Sequence, residues 1–286
     1  FQYGPLDQGW WPDGLYTAPT DEALRFDIEQ TRNMGFNMIR KHIKVEPARW
    51  YYYCDSIGIL VWQDMPSGDL GNRWDPDPGR IGLATDQKRS AESEQYYRKE
   101  WNAIMDALYP FPSIVAWTPF NEGWGQFKTV EIANWTINKD PSRLVNSASG
   151  GSFYYPQHIM DIHHYPEPAM PDPRFFGKDL ALVNGEFGGL GLPVPGHVWQ
   201  EKDNWGYQSF KTPEDLLKKY AVFTDSLDRF IGYGLSAAVY TQTTDVEVEI
   251  NGLMTYDRKV IKNPAEKLKA LNNKLYDNPE VKIIDK

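Results

Sequence analysis

A (β/α)₈ barrel is the fold this sequence predicts. Helical and strand patterns alternate along the chain, as repeated βαβ units require. The 286 residues suit one such barrel, which typically takes about 250. Two glutamates also follow apolar strand-like runs, where barrels carry their reactive groups.

Taken in order, Phe1 to Tyr3 reads as the tail of a first strand. Asp21 to Met34 is a helix, with Thr20 as N-cap and Gly35 at its C-terminal end. Phe36 to Arg40 is the second strand, Glu46 to Ser56 the second helix and Ile59 to Gln63 the third strand. A Gly/Pro-rich loop covers 66–84, before a long helix over 86–109 and a strand from Ser113 to Phe120. Val130 to Ile137 is helical, and Arg143 to Asn146, His158 to His163 and Leu180 to Asn184 are strands. Residues 147–157 lack a helical period and 166–178 are proline-rich, so the barrel should be irregular around its fifth and sixth crossover helices. The amphipathic helix Pro213 to Tyr233, the strand Leu235 to Thr241 and a closing helix Asn263 to Tyr276 complete eight strands. No linker or repeat divides residues 1–286, which read as one domain.

The composition narrows the partners. A formal charge of -9 argues against nucleic acid and anionic membrane surfaces, and no apolar run approaches the roughly 18 residues of a membrane span. With Cys54 as the single cysteine, no disulfide can form within the chain, so the redox compartment stays open. The chain starts at Phe1 without a leader pattern, and we expect it to be a segment of a larger protein. Forty-one aromatic residues, several in loops such as Gly9-Trp10-Trp11-Pro12, offer faces on which sugar rings stack, although large aromatics also fill cores.

Glu122 stands before Gly123 and Glu186 before Phe187-Gly188-Gly189, each after an apolar strand. Two such carboxyls suit glycoside cleavage, where one acts as protonated acid and the other as anion. Either one alone also fits a rim salt bridge, since the chain has 39 acidic residues. Strict alternation would place Leu182, Asn184 and Glu186 on one inward face, and Met38, Arg40 and His42 on another. From there Arg40 could hydrogen-bond the nucleophile, and His42 would line the pocket. His163 and His164 must point to opposite faces. With Asp161 they make a poor ligand geometry, so no metal and no cofactor are expected.

At these residues the chain resembles the catalytic domain of glycoside hydrolase family 2, which holds β-galactosidases, β-mannosidases and β-glucuronidases. Trp117-Thr-Pro-Phe-Asn121-Glu122-Gly-Trp124-Gly is similar to its acid/base signature, and Asn184-Gly-Glu186-Phe-Gly-Gly to its nucleophile segment. Phe36-Asn-Met-Ile-Arg40-Lys-His42 resembles its second strand, and Leu60-Val-Trp-Gln-Asp64-Met-Pro its third, where an acidic residue is usual. The likeness runs from about residue 1 to 275. It implies a retaining mechanism with Glu122 as acid/base and Glu186 as nucleophile. Asn121 would bond the sugar 2-hydroxyl, and Tyr165 would contact the nucleophile. Asp7, in the aromatic first loop, together with Trp124 and His163, completes the near set of sugar-binding candidates. Glu249-Ile-Asn251 stands where the family's glucuronidases carry a carboxylate-binding Asn-x-Lys, which argues against a uronate. Gln242, Glu249 and Asn251 are then candidates for binding hydroxyls. The resemblance also implies accessory β-sandwich domains in the parent chain.

The sequence therefore reads as a retaining exo-β-glycosidase acting on a neutral carbohydrate substrate, with β-galactoside the leading guess. An endo-glycanase of the same barrel clan and a carbohydrate-binding barrel without catalysis are the alternatives. Aromatic loops at 5–13 and 66–84 would close a pocket and favour exo action.

Overall fold

The computed structural model describes residues 1–69, 86–155 and 157–277. Most of the predicted 66–84 loop lies outside them. Twelve strands and seven α-helices are described: β1 (Gln2–Asp7), α1 (Asp21–Asn33), β2 (Met38–Lys41), α2 (Ala48–Ile57), β3 (Leu60–Asp64) and α3 (Ala91–Leu108). There follow β4 (Ile114–Thr118), β5 (Phe120–Asn121), α4 (Thr129–Lys139), β6 (Leu144–Val145), β7 (Ala148–Ser149), β8 (Ile159–His163), α5 (Pro173–Phe176) and β9 (Ala181–Gly188). The last are β10 (Leu190–Gly191), β11 (Gln208–Ser209), α6 (Pro213–Ile231), β12 (Leu235–Thr241) and α7 (Ala265–Asn273).

Eight strands pair in parallel in the order β6-β4-β3-β2-β1-β12-β9-β8. The seam between β6 and β8 is bridged by His158, whose N–H donates to Val145 O at 3.0 Å and whose Nδ1 accepts from Val145 N at 2.9 Å. The eight strands thus form a nearly closed barrel. Its interior packs Leu6, Met38, Trp62, Ala116, Ile159, Val183, Ala237 and Val239 together, which come from seven of the eight strands. The helix-facing sides bury two larger clusters, one around Trp50, Trp101 and Trp117 and one around Tyr3, Phe187 and Tyr220. Among the described residues, fifteen aromatic residues are buried in the core.

Local chemistry explains the element ends. Thr20 caps α1 by accepting from Ala23 N at 3.1 Å, and Thr212 caps α6 by accepting from Asp215 N at 3.2 Å ahead of Pro213. The third helix starts at Ala91, later than its pattern predicts, because Ser90 is its cap. Asp86, expected inside that helix, instead accepts from Thr129 N at 3.0 Å and steadies the start of α4. The first strand runs on to Asp7, well past the expected Tyr3. As expected, the crossovers on either side of β8 are irregular: β6 is followed by no helix among the described residues, and β8 only by the single turn α5.

One expectation is overturned on β9. Leu182 does not face the barrel interior; it packs with Met160 and Leu180 beside Phe176 of α5, and Val183 faces inward. The pairing register slips at Gly185 on both sides, with Ile162 opposite Asn184 but His163 opposite Glu186, and Ala238 opposite Asn184 but Tyr240 opposite Phe187. A bulge inserts one residue and re-aims the side chains after it. That is how Glu186 reaches the interior while Leu182 does not.

Candidate active site

The two glutamates meet at the C-terminal mouth of the barrel. One carboxylate oxygen from each, together with a ring nitrogen of His163, lie within 4.8 Å of one another. Glu186 is delivered by the β9 bulge. Gly185 is required there because its N–H donates to Asp161 Oδ1 at 2.7 Å, and a Cβ would sit 2.1 Å from the same oxygen. Gly185→Ala should displace Glu186 and lower kcat more than it raises KM; an unchanged kcat would show that the bulge tolerates a side chain. Glu122 comes by a different route. Pro119 ends β4, and the short ladder of β5 with β7 sets Asn121 opposite Ser149. Glu122 N then donates to Ser149 O at 2.8 Å, and the chain turns with φ of +50° at Glu122 and +79° at Gly123. A left-handed non-glycine residue costs on the order of 1–3 kcal/mol, which surrounding contacts must offset.

Each carboxylate has its own partners. Glu186 Oε1 accepts from Arg40 Nη1 at 3.2 Å and Oε2 accepts from the Tyr165 hydroxyl at 2.8 Å. Tyr165 also lies 2.6 Å from Thr241 Oγ1 and stacks at 3.8 Å on Tyr207. Arg40 is wholly buried and joins its own strand to three others: Asp64 on two oxygens at 3.2 and 2.9 Å, Asn121 Oδ1 at 2.7 Å and Gly185 O at 3.1 Å. His42 Nδ1 lies 3.3 Å from Asp64 and 3.8 Å from Glu186. Glu122 Oε1 lies 2.7 Å from His163 Nδ1. The Glu122 side chain keeps 20% of its exposure against 7% for Glu186, so it is the more open to water.

The electrostatics separate the groups. Burial alone would push the Glu122 carboxyl up, but the hydrogen bond and charge of His163, with His42 and Arg40 behind, hold it below the usual carboxylate range. Burial pulls His163 down, yet the charge of Glu186 and the bond to Glu122 leave it above its ordinary value. The Tyr207 phenol is pushed up by burial and then by the charges of Glu186, Glu249 and Glu122. Glu249 is itself raised, first by burial and then, against the bond from Asn251, by Glu186.

The structure brings Arg40, His42, Asp64, Asn121, Tyr165 and His163 to the carboxylate pair. Gln242, Asn251 and Glu249 form a side-chain relay at the rim: Gln8 Nε2 donates to Gln242 Oε1 at 2.9 Å, Gln242 Nε2 to Asn251 Oδ1 at 2.6 Å and Asn251 Nδ2 to Glu249 Oε1 at 2.8 Å. Asp7 is placed elsewhere. It is paired at 2.6 Å with Lys41, whose ammonium also holds Glu46 at 2.9 Å, in a buried ion cluster behind the strands. Its strand phase turns it there, since Leu6 takes the inward face. Trp124 is half-buried in the turn after Glu122, its carbonyl accepting from Ser67 Oγ at 3.2 Å. In the first loop Trp11 is core, with the Arg258 guanidinium 4.0 Å above its ring. Trp10 instead meets Tyr16 edge-on at 4.7 Å, beside a side pocket that reaches His42.

Ser149, Asp161, Thr241 and Tyr207 belong to the site although sequence reasoning assigned them no role in it. Ser149 sits in a stretch with no periodic signal, and Tyr207 in a loop whose neighbours are set only by tertiary folding. Proximity alone would let Glu122, His163 and Glu186 surround a divalent ion. His163 Nδ1 and Glu122 already share a hydrogen bond, however, and both Glu186 oxygens are engaged, so the set reads as a proton-handling one.

Comparison with known proteins identifies the barrel. Residues 18–189, more than half of the chain, match the model of glycosyl hydrolases family 2, TIM barrel domain. The chain belongs to that family. A β-galactosidase of Vibrio cholerae is 25% identical over 162 residues, covering 53% of this chain and 15% of the relative. A putative β-glucuronidase of Formosa agariphila is 28% identical over 137 residues, covering 48% and 12%. The chain thus spans a small part of these relatives. In fold it is similar to a β-galacturonidase from Eisenbergiella tayi solved with galacturonate, at a TM-score of 0.66 and 16% identity over 95% of this chain and 50% of that one. No helix among the described residues is long and apolar enough to cross a membrane.

Proposed function

We propose that this chain is the catalytic barrel of a retaining, exo-acting β-glycosidase for a neutral glycone, with β-galactoside the leading substrate. The observation that carries the reading is the approach of the Glu122 and Glu186 carboxylates to within 4.8 Å. That suits retention, where the carboxyls stand about 5–5.5 Å apart, better than inversion, where they stand about 6.5–9.5 Å apart. Glu186, steadied by Arg40 and Tyr165, attacks the anomeric carbon. Glu122 protonates the departing oxygen and later draws the proton from water. Arg40 holds Asn121 Oδ1, so the amide Nδ2 is the atom left to donate to the sugar 2-hydroxyl.

The relatives' names divide between galactosides and uronides, and Glu249 weighs for a neutral sugar. A uronate bound against Glu186 would face a second carboxylate held in place by Asn251 and Gln242. A panel of nitrophenyl β-glycosides at neutral pH tests the reading. Turnover is expected on a neutral sugar, at least about 10²-fold faster than on glucuronide or galacturonide. Faster uronide turnover would overturn the specificity. Sugar binding without turnover on any member would favour a non-catalytic barrel.

A further inference from the structure

The bond between Glu122 and His163 continues inward. His163 Nε2 lies 2.8 Å from Ser149 Oγ, and the Ser149 hydroxyl donates to Asp161 Oδ2. Asp161 also accepts from Asn146 Nδ2 at 2.7 Å and from Gly185 N at 2.7 Å, so its carboxyl is engaged as an acceptor throughout. A serine hydroxyl has one hydrogen. Since Ser149 gives it to Asp161, Ser149 Oγ can only accept from His163, and Nε2 must carry a hydrogen. Arg40 Nη1 does not alter this; it lies 3.5 Å from Nε2 but engages Gly185 O and Glu186 at shorter range. The exchangeable position of the ring is therefore Nδ1, the atom facing Glu122. Gly150 lies close against the ring, where a Cβ would come within 2.3 Å of it.

We propose that His163 is the proton store of the acid/base, sharing one proton between Nδ1 and Glu122, with Asp161 and Ser149 fixing the tautomer that allows it. This rests on the reading of Glu122 as acid/base. In the first step the proton passes from Nδ1 to Glu122 and on to the glycosidic oxygen. The bond from that oxygen to the anomeric carbon breaks as the bond from Glu186 forms, and His163 is left neutral. In the second step water bonds the anomeric carbon, Glu186 leaves, and the water's proton returns through Glu122 to the shared position. The charge balance agrees. A buried imidazole and a buried carboxyl would each resist ionisation, yet His163 is raised and Glu122 lowered, the pattern of a pair holding one proton on the imidazole side. The titratable and charged groups around it are Glu186, 3.5 Å from Nδ1, with Arg40, Asp161, His42 and Asp64 beyond.

Losing the partner always lowers the pKa at which the last proton leaves a coupled pair, so the basic limb of kcat/KM moves acid-ward by about one unit or more in His163→Ala and His163→Asn. These variants should also lose about 10²-fold or more on poor leaving groups and less than about ten-fold on activated aryl ones. Ser149→Ala keeps the ring but frees its tautomer, and should shift the limb the same way by less. Folding is checked by trapping with a 2-fluoro glycoside carrying an activated leaving group, which needs no acid. Glu122→Ala is run in parallel, with azide to restore its turnover. If Glu122→Ala loses poor and good leaving groups alike and azide fails, the acid/base reading itself is wrong. If Glu122→Ala behaves as expected but the His163 variants lose all substrates equally with an unmoved limb, His163 is only structural and the inference is overturned. Should both His163 variants fail to fold, an unmoved limb in Ser149→Ala overturns it as well.

Discussion

Glu186→Gln is expected to lower turnover by on the order of 10⁴-fold or more, the scale on which removal of a nucleophile acts. The amide is nearly the same size, so the loss is chemical. It cannot bond the anomeric carbon as an anion, and among the described residues no other carboxylate accepts from both Arg40 and Tyr165. Glu122, within 4.8 Å, is occupied by His163 and stands on the leaving-group side in the proposed geometry. A secondary cost is legible in the hydrogen bonds. Arg40 and Tyr165 both donate to Glu186, one to each oxygen. Glutamine accepts through one atom only, so one of these buried donors meets an NH₂ group and destabilises the fold by about 1–3 kcal/mol. Two measurements check the assignment. A 2-fluoro glycoside should label the native chain stoichiometrically and leave the glutamine variant unlabelled, and mass mapping should place the label on Glu186. A label on Asp64, Glu249 or any other carboxylate would refute the role.

Periodicity served well where a helix or strand buries one regular face. The strand Leu235 to Thr241 ends where its pattern says, and Met38, Arg40 and His42 do line one face of the second strand as alternation requires. The same rule fails on β9. Period-two alternation puts Glu186 inward together with Leu182, and the residue comes inward only because a bulge at Gly185 reverses the phase. The expected destination is right for a reason the pattern does not contain. Asp7 shows the converse: a carboxylate at a strand end near the mouth reads as a pocket group, yet it neutralises Lys41 instead. Distinguishing the two needs the position of the cation, which tertiary packing sets. The sequence sets His163 against sugar, and its nearest partner is Glu122. Ser149 could not be found at all, because β7 exists only through its pairing with β5, and two-residue strands carry no period.

Arg40 is where fold and site depend on the same side chain, and Arg40→Met should cost about 3–5 kcal/mol. Methionine fills similar space but removes the cation from a wholly buried position. Asp64 loses a two-oxygen partner, Asn121 Oδ1 and Gly185 O lose donors, and Glu186 loses one of its donors and keeps Tyr165. Arg40→Lys separates the two functions. It returns the charge, so much of the stability remains, but a single ammonium cannot reproduce a planar fork that serves Asp64, Asn121 and Glu186 at once. Activity should therefore fall in both variants and stability chiefly in the methionine one. The pH dependence carries the sharper test. Burial would raise the Asp64 carboxyl, and the charge of Arg40, together with His42, outweighs it to hold the group below its ordinary value. A depressed carboxyl contributes stability that is fully present above its unfolded pKa of about 3.9 and fades as pH falls through the folded value. Without Arg40 the sign reverses: buried Asp64 becomes easier to protonate than in the unfolded chain, and acid relieves its cost. The stability gap between native chain and Arg40→Met, followed by urea unfolding, should be widest near neutral pH and narrow toward pH 4. A gap that is constant across that range, or under about 1 kcal/mol, would mean that Asp64 does not depend on Arg40 as its buried counter-charge.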